Sequence, residues 1–99
     1  MYDIHFAADV EKDLKELKTR DQRVVLDAIE EQLTHQPEEV TKNRKILFKL
    51  IPPWQFVPPV WELRVGEFRV FYDVDSSNKK VIVRAIRHKP PHKRTEDIL

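Results

Sequence analysis

The sequence predicts a single α+β domain over residues 1–99, of order β-α-α-β-β-β, with a helical hairpin packed on one face of a small, mostly antiparallel sheet. Three observations carry this. Residues 60–74 form two runs of alternating character that meet at Gly66-Glu67. Residues 8–33 carry apolar positions at helical spacing. Residues 80–87 are apolar on both parities, as an interior strand is.

Tyr2 to Phe6 alternates weakly and reads as a first strand. From Ala8 the period changes, and Val10, Leu14 and Leu17 lie at i, i+4 and i+7. Asp9 is placed to cap this helix, with Asp13 and Glu16 among lysines on its wet face. Thr19-Arg20 is a short link, and Asp21 is the expected cap of a second helix. Val25, Ile29 and Leu33 form the stripe of that helix, which stops by Pro37. Two amphipathic helices so closely joined form a hairpin that must bury its stripes on a sheet.

Gly66-Glu67 reads as the loop of a two-residue type II′ hairpin, because glycine accepts the positive φ of the first loop position. That loop pairs Val65 with Phe68, Arg64 with Arg69, Leu63 with Val70, Glu62 with Phe71 and Trp61 with Tyr72. Alternation then sorts the faces. Trp61, Leu63, Val65, Phe68, Val70 and Tyr72 make a core face; Glu62, Arg64, Arg69, Phe71 and Asp73 make an exposed one. Two arginines directly opposite one another repel, so Arg64 and Arg69 point to an anion site. Asp75-Ser76-Ser77-Asn78 is a turn, Lys80 to Arg87 the third consecutive strand, and His92 to Leu99 a tail.

The chain has no cysteine and one glycine, which excludes thiolate metal sites, disulfides and glycine-rich phosphate loops. No His/Glu constellation has metal-ligand spacing, and Ser76 and Ser77 sit in a turn, unsuited to a nucleophile. No signal peptide or membrane span is present in the pattern, so the expectation is a soluble, cytoplasmic protein without cofactor. A net charge of +1 hides an asymmetry. Residues 1–39 hold 11 acidic and 5 basic side chains, and residues 40–99 hold 13 basic and 6 acidic ones. The basic half points to a polyanion, with nucleic acid the leading candidate.

Residues 38–59 are the least regular stretch. Lys42, Arg44, Lys45 and Lys49 are interleaved with apolar residues in a basic stretch that reads as lying near a nucleic-acid site; Arg44, Lys45 and Lys49 are candidates for RNA contacts, as are Lys89, His92, Lys93 and Arg94 near the end of the chain. Trp54 and Phe56 read as anchors that pin a long loop to the domain edge; stacking on a base is the alternative. Glu62, Arg64, Arg69, Arg87, His88, Lys89 and His92 form a kit for metal-free RNA cleavage. The substrate brings its own 2′-OH nucleophile, and the protein handles two protons and the phosphorane charge.

The block Trp61-Glu62-Leu63-Arg64-Val65-Gly66-Glu67-Phe68-Arg69-Val70-Phe71-Tyr72 resembles the signature hairpin of the RelE/ParE superfamily of bacterial toxins. The resemblance extends to Asn43-Arg44-Lys45, to Arg84-Ala85-Ile86-Arg87-His88-Lys89 and to the strand-helix-helix start. It implies a toxin of a type II toxin–antitoxin system with a cognate antitoxin. RelE-like members cut mRNA in the ribosomal A site, and ParE-like members poison DNA gyrase. The RelE-like reading implies binding to mRNA and rRNA. It assigns Arg69 to charge at the scissile phosphate, and Arg64 to phosphate contact or proton transfer. Arg87, His88 or Lys89 would be the basic group at the last strand, and Glu62 a base or a support for Arg64. Two departures stand out: Glu62 replaces a frequent lysine, and no tyrosine follows Tyr72, leaving His92 as its replacement. The alternatives are a gyrase inhibitor and a member that has lost its chemistry.

Overall fold

A computed structural model describes residues 1–99. The order is β1 (Asp3–Phe6), α1 (Val10–Lys15), α2 (Thr19–Leu33), β2 (Arg44–Leu47), β3 (Val60–Val65), β4 (Phe68–Asp75) and β5 (Lys80–His88), followed by a 3₁₀ turn at Thr95–Asp97. The sheet runs β1-β5-β4-β3-β2, with β1 parallel to β5 and every other pair antiparallel. The α+β class stands, with one strand more than expected. β2 falls in the stretch read as irregular and pairs with β3 at the sheet edge, Lys45 opposite Glu62.

The hairpin has the expected register at all five pairs, including Arg64 opposite Arg69. Gly66 has φ +58° and Glu67 is not among the positive-φ residues, as a type II′ loop requires. The helical hairpin covers the predicted face: Val10, Val25, Ile29 and Leu33 pack with Trp61, Leu63, Val70 and Tyr72 in one buried cluster. Trp61 and Tyr72 stack with centroids 6.0 Å apart. α2 starts one turn earlier than the Asp21 cap implies, with Lys18 at the cap and Asp21 inside the first turn. A carboxylate there still faces the positive end of the helix dipole.

The opposite face is not exposed. Val60, Phe71 and Ala85 form a second core beneath Leu47, Leu50, Trp54, Phe56 and the C-terminal Ile98 and Leu99. Trp54 lies 5.2 Å from Phe71, so the Pro-rich stretch is an anchor, as expected. Asp73 is buried there, accepting from Arg84 Nε and the Val57 N–H, both at 2.8 Å. This cover stops short of the hairpin loop, and that limit creates the site.

Two of the basic and acidic residues read as surface groups have structural posts. Arg44 is buried and donates to the carbonyls of Gln32, in the last turn of α2, and of Gln36, just past its end. Its assignment to RNA is therefore corrected. Asp13 is not on a wet face. Beyond Val83, β5 has no β1 neighbour, and Asp13 Oδ2 accepts the Ile86 N–H (3.0 Å) and Arg87 (2.8 Å) at that open edge.

Tyr72 is fully buried and its hydroxyl donates to the Pro37 carbonyl at 2.7 Å. Burial pushes its phenol above the usual value, with Arg44 pulling it down and Glu38 adding to the rise. A raised folded-state value stabilises the fold fully below the unfolded tyrosine pKa of about 10, and the benefit is lost as pH rises past it. Tyr72→Phe leaves a buried carbonyl unpaired and is expected to cost about 1–3 kcal/mol at neutral pH. Denaturant titrations of both proteins should also show a weaker stability decline above pH 10 in the variant.

Candidate functional site

Glu62 is the centre of the site. Its position in β3 turns it away from the helices, and burial leaves it 3% exposed. A buried carboxylate needs partners, and the neighbouring strands supply them. Arg69 of β4 places Nε 3.9 Å from Oε1, and Lys45 of β2 places Nζ 3.7 Å from the same oxygen. Thr95 Oγ1, from the C-terminal 3₁₀ turn, donates to Oε2 at 3.2 Å. Oε1 thus feels two cations but accepts no short hydrogen bond from either.

These groups floor a polar hollow of about 250 Å³ lined by Lys42, Asn43, Lys45, Glu62, Arg64, Arg69, Lys89 and Thr95. Five cations surround one carboxylate. Arg69 is held by its own loop, donating to the carbonyls of Gly66 and Phe68, each at 2.9 Å. Burial lowers the Arg69 guanidinium below its usual value; Glu62 works against that shift and Arg64 works with it. Arg64 is exposed at the rim. The two arginines lie directly opposite one another across the β3–β4 ladder, as read from the hairpin, and an anion between them would relieve their repulsion.

The structure therefore gathers Glu62, Arg64, Arg69, Lys45 and Lys89 from the candidates. It does not bring in Arg87 or His88. Arg87 faces Arg69 across the β4–β5 ladder, but Asp13 holds it at 2.8 Å and it lies over the Trp54 ring, 5.3 Å from the centroid. His88 points to the helix side, packed on Phe68 and paired with Glu67 at 3.0 Å. One strand step separates His88 from Lys89, and that step decides which of them reaches the hollow. Lys49, Lys93 and Arg94 line an adjoining groove, and His92 is exposed on the tail outside both.

Lys42, Asn43 and Thr95 were not among the sequence candidates. Lys42 belongs to the basic run read near a nucleic-acid site but was not singled out from it. Nothing local marks Thr95, which meets Glu62 from 33 residues away.

Comparisons with known proteins place this fold. Residues 4–89 match the family of ParE toxins of type II toxin–antitoxin systems (parDE), and the chain belongs to that family. No curated protein matches it. Among solved structures, the RelBE2 toxin–antitoxin complex of Mycobacterium tuberculosis is similar at TM-score 0.69 and 20% identity, over 89% of this chain and 98% of that one. The archaeal RelE–RelB complex of Pyrococcus horikoshii OT3 gives 0.62 and 20%, over 94% and 98%. The isolated E. coli RelE toxin gives 0.60 and 16%, over 98% and 93%. At such identities the likeness carries the RelE fold and nothing finer.

Proposed function

We propose that this toxin is a metal-independent endoribonuclease that cuts translated mRNA on the ribosome. The observation that carries the reading is the buried Glu62 carboxylate, with one oxygen free of short hydrogen bonds, inside a ring of five cations. Glu62 Oε1 takes the proton of the 2′-OH as that oxygen bonds to the adjacent phosphorus. Arg69 and Arg64 meet the charge that builds on the phosphoryl oxygens. The P–O5′ bond breaks in line, on the side away from Glu62 and its neighbour Lys45, and Lys89 protonates the leaving oxygen. The products are a 2′,3′-cyclic phosphate and a 5′-hydroxyl, with no water consumed. Binding rests on phosphate contacts and weakens as salt rises.

Replacing the nucleotide 5′ of a mapped cut by its 2′-deoxy form tests this chemistry. Cleavage at that position should cease, while the other cuts on the same message continue. Continued cleavage at the deoxy position would exclude 2′-OH attack.

The family match favours one other reading, a gyrase inhibitor that uses the same basic surface for binding alone. Under either reading the partner is a cognate antitoxin. Two hollows of about 330 and 390 Å³ lie between the start of the chain and α2, both lined by the exposed Phe6 and Leu26. They suit the apolar side of an antitoxin segment, and Arg64 and Lys89 suit an acidic one.

A further inference from the structure

We infer that Phe48 is a stacking platform for a base of single-stranded RNA, in a groove that extends the Glu62 pocket. This rests on the RNA reading above and adds a nucleotide subsite to it. The groove, about 690 Å³, is lined by Phe48 with Lys45, Lys49, Lys89, Lys93 and Arg94, and its one acidic group is Glu96. Lys45, Lys89 and Thr95 line both hollows, so a chain whose phosphate sits at Arg69 passes directly into the groove.

Phe48 is 83% exposed, although Leu47, Leu50, Trp54 and Phe56 around it all pack onto the second core. Leaving a phenylalanine in water forgoes about 1.5–3 kcal/mol of burial. Ile51 is equally exposed but lines only a neighbouring apolar hollow, which shares Leu47, Phe48 and Leu50 with the groove and has no cation in its lining. Only Phe48 combines an open ring with a cationic surround. A base offers a flat face to that ring and its phosphates reach Lys49, Lys93 and Arg94, which is how sequence-tolerant single-strand sites are built. An acidic peptide satisfies the charges but has no use for the ring, and continuity with the phosphate pocket favours RNA.

The test is a short oligoribonucleotide, 2′-O-methylated so that it cannot be cut, carrying 2-aminopurine next to the central phosphate. Its fluorescence is titrated with wild type, Phe48→Ala and Phe48→Trp at low salt. Wild type and Phe48→Trp should quench the fluorophore. Phe48→Ala should lose the quench and bind roughly tenfold more weakly, the contribution of one stacked base. Equal binding and quenching by wild type and Phe48→Ala would overturn the subsite, as would wild type that binds no RNA. A Phe48→Ala variant that instead loses only an acidic peptide makes the groove a protein site and overturns it too. Because the probe is uncuttable, a protein that stacks RNA but never cleaves it keeps the subsite and loses only the endonuclease reading.

Discussion

Arg69→Ala is expected to abolish growth arrest and to lower cleavage by about 10²–10³-fold, the usual effect of removing a donor aimed at developing charge. Among the cations lining the pocket, Arg69 is the one that is both buried and fixed by two carbonyls, so it would meet a phosphate there without reorganising. The fold should survive. The substitution removes the Arg64–Arg69 repulsion, and Glu62 keeps Lys45 and Thr95. Arg69→Lys should recover little, because an ammonium cannot span the Gly66 and Phe68 carbonyls and the phosphate together. Thermal melts and cleavage rates of both variants check this. A fully toxic Arg69→Ala protein would remove Arg69 from the site.

Glu62→Gln carries the second large effect. A base contributes about 10²–10⁴-fold, and the amide cannot take the 2′-OH proton. Rate should fall in that range. Stability should fall by less than the about 3–5 kcal/mol of breaking a closed buried pair. The pocket is open on one side, and Arg69 retains its two carbonyls.

Local chemistry explains which parts of this site could be read in advance. Gly66-Glu67 permits one tight loop, and that loop determines every pair from Val65–Phe68 to Trp61–Tyr72. The opposed arginines follow from it, and so do the helices' core partners. Other features depend on contacts distant in sequence. Arg44 sits beside Lys45 in one basic run, yet one meets the end of α2 and the other meets Glu62, because alternation sends them to opposite faces. That distinction required knowing that Arg44–Leu47 is a strand, and four residues of mixed character do not announce one. Arg87 was drawn off by Asp13, 74 residues away. The second face appeared open because Trp54 and Phe56 read as pinning their loop to the domain edge rather than over Phe71, and nothing in 95–99 shows that the end of the chain joins them there.

The endonuclease reading stands or falls on primer extension of an mRNA in a reconstituted translation system, with the same RNA lacking ribosomes and the Arg69→Ala protein as controls. The expected result is cuts in phase with codons that require ribosomes and disappear with Arg69→Ala. A folded, growth-inhibiting wild-type protein that leaves the translated mRNA intact would contradict it, and would move the basic pocket from cleavage to the binding of gyrase.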